Sequence, residues 1–381
     1  AERIAGSRSG AEFAALRDEA LDRKAALYRQ TYNASQLAAG NIATVPPGSG
    51  FRFEFLLEGG LSEAEATSKE RVHRMLRECA EVDPERLHVK RAVVYNFHAR
   101  RAEHWRVGPI FLAGDAAHCM PPFQGQGMNS GIRDAVNLAW KLALVLRGQA
   151  AEEILASYEP ERRSNLQQVT EDSISLGKTV MMRNPVLTYI RDWIFDLWTR
   201  LGDSGWLGAM HHSGWTEPPH IGSRGALLAE GQGVAGRLFP CPEVSLGALR
   251  QRLDGLLAPR AFTLVLCGGA GVNASTAVLR ASAEHLAFLQ GLGAWAVAVG
   301  AGSPAASAPP ALFGGLGGGA RAHDAGAGWV RWTRRYGLEG RIVAVRPDRY
   351  VFGAFASVDD AAKALRASLQ GPARTSSGAE L

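Results

Sequence analysis

The segment from Gly108 to Gly148 constrains this chain more than any other. GPIFLAG (108–114) has the apolar composition of a short strand, DAAHCMPPFQGQG (115–127) that of a loop, and MNSGIRDAVNLAWKLALVLRG (128–148) helical periodicity. Ile132, Ala135, Val136, Ala139, Trp140, Ala143 and Leu146 recur at helical spacing and predict the apolar face of that helix. Gly148 predicts its C-terminal stop. A strand end, a pliant turn and a helix start, in that order, are where α/β proteins present ligand-binding groups. Asp115 directly follows the strand, and a carboxylate there can accept hydrogen bonds from sugar-like hydroxyls. Pro121 and Pro122 stiffen the loop, while Gly125 and Gly127 let the backbone approach a flat ligand. The helix opens at about Met128 with free N–H groups, an electropositive pole suited to a ring that becomes anionic on reduction. The competing reading is an aspartate cap with glycines serving only the turn, and spacing alone leaves the two open.

Two other glycine patterns carry less. Gly231, Gly233 and Gly236 fit GxGxxG, but no strand precedes them and Pro240 and Pro242 block a following helix. Gly269, Gly271 and Ala274 do lie between a strand and a helix, yet the next strand ends without an acidic residue to hold a ribose. Four widely spaced cysteines among 381 residues exclude a disulfide scaffold and a zinc ribbon and fit a reducing cytoplasm. A net charge of +5, spread along the chain, gives no reason to expect nucleic acid. No run reaches the roughly 18 apolar residues of a membrane span, so no membrane partner is expected.

The motif segment resembles the second FAD-binding motif of the class A flavoprotein aromatic hydroxylases, most of all their 3-(3-hydroxyphenyl)propionate hydroxylase branch. The resemblance runs from about Phe51 to about Phe355 and takes in FRFEFLL, YNFHARRAEHW, SYEPERR (Tyr158, Glu161, Arg162, Arg163) and VRPDRYV. It implies an α/β and α+β chain: the C-terminal part of a FAD/NAD(P)-binding, Rossmann-like hydroxylase fold followed by a thioredoxin-like domain. It implies FAD as cofactor, with Asp115 at the ribityl chain, Gly127, Met128 and Asn129 presenting N–H groups to the pyrimidine edge, and Gly114 and Gly125 also among the cofactor-binding residues. Pro122 would line the space where substrate meets the ring. In such enzymes NADH or NADPH reduces the flavin, O2 forms a C4a-hydroperoxide, and a phenolic ring is hydroxylated with no catalytic side chain and no metal. Halogenases of this type usually need a lysine near the flavin, and none lies between Val107 and Trp140.

The organisation expected is an atypical helical segment (1–50), part of a substrate-binding sheet domain (51–105), the FAD-motif and helical region (106–215), a linker (216–240) and the thioredoxin-like domain (241–381). Strands are expected over 51–57, 89–97, 261–267 and 294–300, two more around a turn at Pro347 and Asp348, and a helix over 65–79. Helical signal from 152 to 182 is expected to break near Pro160. Family members begin with strand, GxGxxG and helix, and a further Asp-Gly motif; neither precedes Phe51 here. The chain is therefore expected to hold FAD poorly or not at all by itself. Its alternative role is that of an inactive remnant whose C-terminal domain mediates association, with a homodimer contact left open. Cys267, lacking a CxxC partner, argues against redox activity there. His118 is expected to be structural, His211 and His212 solvent-facing rather than metal ligands, and Trp193, Trp198 and Trp206 packing residues. Asp134 is expected to favour the helix dipole, and Arg162 and Arg163 to pair with glutamates across helices.

Overall fold

The computed structural model describes residues 40–44, 51–55, 57, 60–80, 83–182, 184–201, 220–221, 228–229, 233–246, 249–258, 260–268, 281–300, 320–324 and 328–370. They fall into two compact units: residues 1–98 with 172–216, and residues 99–171 with 217–381. The helical pattern of residues 11–30, His211, His212, Trp206 and the Gly269–Gly271 turn lie outside the described residues.

In the first unit, β1 (Gly40–Thr44) pairs antiparallel with β2 (Phe51–Phe55). A capping box formed by Ser62 and Glu65 starts α1 (Glu63–Ala66), and α2 (Lys69–Ala80) follows, burying Met75 and Leu76. Residues 89–97 form no strand, correcting that expectation: their alternation is real, but no partner strand among the described residues takes up their backbone groups.

In the second unit, β3 (Arg100–Arg101) pairs with β6 (His118–Cys119), and β4 (Arg106–Val107) with β5 (Ile110–Phe111), both antiparallel. The expected 108–114 strand is thus reduced to a two-residue partner in a tight hairpin. α3 (Gln126–Leu146) begins two residues earlier than its periodicity suggested. Its end is as expected: Gly148 has φ +68°, and the amides of Gly148 and Gln149 bond back to Val145 and Leu144. A 3-10 stretch (Glu152–Ser157) leads into α4 (Tyr158–Val180), which runs through Pro160 unbroken. Proline falls in the first turn, where its missing N–H has no acceptor to lose. α4 passes into the first unit, where α5 (Pro185–Leu201) follows. Trp193 on α5 is 58% exposed, so it is not the packing residue expected.

The C-terminal half is a seven-stranded mixed sheet. Its strands are β7 (Glu243–Leu246), β8 (Leu249–Arg252), β9 (Thr263–Gly268), β10 (Trp295–Gly300), β11 (Ala320–Asp324), β12 (Ile342–Val345) and β13 (Val351–Phe355), in spatial order β13-β12-β9-β10-β11-β7-β8. The β9-β10-β11 centre is parallel and both flanks are antiparallel. β12 and the Leu264–Cys267 run of β9 are apolar because both faces of the sheet are covered. One face packs Val265, Val297, Val343 and Val351 against Trp329 of α7 (Gly328–Arg335). The other packs Leu264, Leu266 and Phe352 against α6 (Ala283–Gly291) and α8 (Val358–Gln370). That second core continues into the motif region: Trp140 of α3 meets Phe262 edge-on at 5.5 Å. The motif helix and the C-terminal sheet share one core.

Candidate functional site

Gly114 (φ +59°) turns the chain after β5, and Asp115 stands exposed on a single 3-10 turn. The Asp115 carboxylate takes no hydrogen bond from the described residues. Pro121 is buried and Pro122 exposed, opening a second 3-10 turn that ends at Gly125. Gly125 has φ +62°, a conformation an L side chain resists, and from it α3 departs without a side-chain cap. No side chain at the cap therefore claims the first N–H groups of α3, at half-buried Gln126 and Gly127 and exposed Met128, and Asn129 beside them is exposed as well. Asn129 turns its Nδ2 back onto the Gly125 carbonyl at 3.1 Å. A Cβ on Gly131 would come within 3.2 Å of Gly114 Cα, so glycine there lets the helix press against the turn. The seven residues singled out in this segment lie on two successive 3-10 turns, separated by β6, and on the start of α3.

The inner face of α3 overturns the expected one. Ile132, Ala135, Val136, Ala139 and Leu146 are exposed, whereas Ser130, Asp134, Asn137, Leu138, Trp140, Lys141 and Leu144 are buried. Of the expected face Trp140 is buried, but the buried stripe is half polar, because Asp134 and Lys141 each find a partner on α4. Asp134, now in the third turn, is too far along to serve the dipole. One of its oxygens takes Arg162 Nε at 2.8 Å; the other takes the Gly114 N–H at 3.0 Å and meets His118 Nε2 at 2.7 Å. His118 is buried with Nδ1 unpaired, which fits the tautomer carrying its proton on Nε2. Arg162 thus pairs with an aspartate rather than a glutamate, and Arg163 pairs with Glu159 in its own helix.

One turn along, Glu161 sits between two cations. Arg346 donates Nη1 and Nη2 to its two oxygens at 2.9 and 2.7 Å, and Lys141 Nζ donates at 2.8 Å. Burial pushes the Lys141 ammonium down to about 8, against the pull of Glu161. Burial alone would raise the Glu161 carboxyl, but Arg346 and Lys141 outweigh it and hold it well below the usual carboxylate range. At Asp134 burial is likewise outweighed, by the His118 and Arg162 contacts, and its pKa is lowered. Both carboxylates thus bind protons more weakly folded than unfolded. Stability should be flat between about pH 5 and pH 8 and fall below about pH 4.5, by about 1.4 kcal/mol per pH unit for each carboxylate involved; above about pH 8 the lowered Lys141 ammonium makes it rise again. Urea denaturation at pH 4, 5 and 7 measures this; equal stability at all three would show that the pairs do not form.

Among the described residues no group of three or more His, Cys, Asp or Glu could hold a metal, and no helix is long and apolar enough to cross a membrane.

Residues 35–173 match the family model of the FAD binding domain, and residues 236–370 that of the HcaD C-terminal domain. The solved structure of OxyS anhydrotetracycline hydroxylase from Streptomyces rimosus superposes with a TM-score of 0.61 at 22% identity, over 89% of this chain and 59% of that one. The flavin-dependent monooxygenase PieE, solved with FAD and substrate, gives 0.60 at 18%, over 87% and 59%. At such identities these likenesses speak for the fold alone. With the two family matches, they make this chain similar in fold to FAD-dependent hydroxylases. Its curated relatives are more particular. The 3-(3-hydroxy-phenyl)propionate/3-hydroxycinnamic acid hydroxylase of Klebsiella pneumoniae subsp. pneumoniae is 38% identical over 199 residues, 51% of this chain and 35% of that protein. The protein of that name from Mycolicibacterium gilvum is 44% identical over 141 residues, 37% and 25% respectively. The chain thus spans 35% or less of the length of these relatives.

Proposed function

We propose that Gly114–Asn129 is the ring-and-ribityl half of a FAD site, and that the chain serves an aromatic hydroxylase acting on a phenolic acid such as 3-(3-hydroxyphenyl)propionate. The observation that carries this reading is the uncapped start of α3 behind left-handed Gly125, beside a solvent-facing carboxylate at Asp115. The residues fit the cofactor. Asp115 can accept from ribityl hydroxyls, and the N–H groups of Gly127, Met128 and Asn129 can donate to the pyrimidine edge and stabilise negative charge. When bound, FAD supplies the redox chemistry, with NADH or NADPH as electron source and O2 as co-substrate. The protein's part is to orient the ring, offer the helix pole and limit water through the Pro121–Pro122 wall.

The C-terminal domain is read as thioredoxin-like in outline and without redox function. Cys267 is buried, burial pushes its thiol up to about 12, and no second cysteine stands in a CxxC arrangement with it.

The test is a flavin titration of the full chain, followed by absorbance and fluorescence. Asp115→Ala should weaken flavin binding about tenfold or more, the worth of a charge-assisted hydrogen bond, while leaving the melting temperature unchanged because Asp115 supports no other residue. Equal affinity of the two proteins would remove Asp115 from the site. No uptake by the unaltered chain would remove the flavin reading of this chain.

A further inference from the structure

The β12–β13 turn reaches the proposed flavin loop through two clusters of buried hydrogen bonds joined along α4 at Glu161 and Arg162. Arg346, fully buried, holds Glu161 with one edge of its guanidinium and Asp348 with another, Nε and Nη2 lying 3.0 and 2.6 Å from the Asp348 oxygens. Asn137 Nδ2 of α3 donates to Glu161 at 2.7 Å and to Asp348 at 3.1 Å, and Lys141 Nζ donates to Asn137 Oδ1 at 2.9 Å. The ring of Trp140 lies 5.2 Å from the Arg346 guanidinium. The next residue on α4, Arg162, points the other way, into Asp134. Asp134 then holds the Gly114 N–H and His118, and Gly114 is the residue before Asp115. Each link is a side chain shielded from water, so none is loosened by competing solvent.

We infer that Arg346 is a positioning residue of the flavin site, through which the C-terminal domain sets the Gly114–Asp115 turn and the start of α3; the inference rests on the flavin reading above. Four buried charges are a poor way merely to fill space, since an apolar set of equal volume is often as stable or more so. What charges add is direction. A guanidinium fork bound to two carboxylates fixes angle as well as distance, which a lysine's single ammonium does not. Glu161 and Arg162 are neighbours on one helix, so a shift of Glu161 carries Arg162, then Asp134, then Gly114.

The experiment is hydrogen–deuterium exchange on the full chain, unaltered and as Arg346→Gln and Arg346→Lys, with a flavin titration beside it. Exchange in peptides covering 114–134 should rise about tenfold in both variants while β9 and β10 keep their unaltered rates, and flavin affinity should fall about tenfold. Lysine should recover little of either. Should Arg346→Gln fail to fold, Asp348→Asn, which keeps the Arg346–Glu161 fork, replaces it with the same expected pattern at smaller amplitude. Unchanged exchange at 114–134 would overturn the inference. So would an increase shared equally by β9 and β10, which would mark Arg346 as a general stabiliser. If the unaltered chain takes up no flavin, the flavin reading fails, while the exchange data still decide whether Arg346 sets the turn.

Discussion

Glu161→Ala should cost the second unit about 3–5 kcal/mol, enough to leave it unfolded or barely folded, because it strips the anion from between two buried cations. In the native protein Lys141 and Arg346 balance Glu161 and Asp348, two charges against two, with all four side chains buried or nearly so. Without Glu161, one cation is left over. Arg346 cannot shed its proton, so Lys141 must, and its ammonium, already lowered by burial, goes down further. This gives the loss a signature in pH. The unfolded chain then binds a proton that the folded one does not, so the variant's stability should rise as pH climbs from neutrality towards about 10.4. Urea denaturation at pH 7 and pH 9 measures both effects. The combined replacement Glu161→Leu, Lys141→Met, Arg346→Met and Asp348→Leu, with Asn137→Leu because its buried amide bonds to Glu161, Asp348 and Lys141, should regain most of the lost stability, since it removes the polar groups together instead of orphaning one. A loss below about 1 kcal/mol for Glu161→Ala would mean that the quartet is wet and worth no more than a surface ion pair.

The same quartet explains what the sequence could and could not tell. The turn of the motif was legible because its requirements are local: glycine where φ is positive, proline where the loop is stiff, a carboxylate at the strand's end. Local, too, were β12, β13 and the turn at Pro347 and Asp348, and the helix stop at Gly148. The inward face of α3 was not. Its apolar stripe, Ile132 and Val136 among it, pointed to a core that the structure puts on the other side. Periodicity assumes that the buried face is the greasy one, and it fails where polar side chains are satisfied by partners far off in sequence. Asn137 and Asp348 are 211 residues apart, and nothing near either one announces the other. Residues 89–97 failed for the converse reason: they alternate as a strand should, but alternation cannot supply the neighbour that makes a strand a sheet. His118 and Arg162 were noticed without their common partner, because Asp134 lay in a helix and was given a helix's explanation. A clue was available in the YEPERR run, where adjacent opposite charges early in a helix must face different ways and so ask for two different partners.

Asp134→Ala should be the most damaging single change near the flavin turn. The substitution leaves three buried donors, Arg162 Nε, the Gly114 N–H and His118 Nε2, without an acceptor. At about 1–3 kcal/mol for each unsatisfied group, and more where charge is involved, a total of about 3 kcal/mol or more is expected. Asp134→Asn is the sharper comparison, because it preserves volume but offers one acceptor oxygen to three donors, and its own NH2 must point at one of them. It should keep part of the stability and still release the turn. Flavin affinity is therefore expected to fall about tenfold or more in Asp134→Asn while the denaturation midpoint moves less than in Asp134→Ala. This would separate holding the site from holding the fold, since Asp134 touches the Gly114 backbone directly and is itself fully buried. If Asp134→Asn bound flavin as tightly as the unaltered chain, the turn would be rigid by its own glycine geometry, and the buried carboxylate would serve packing alone.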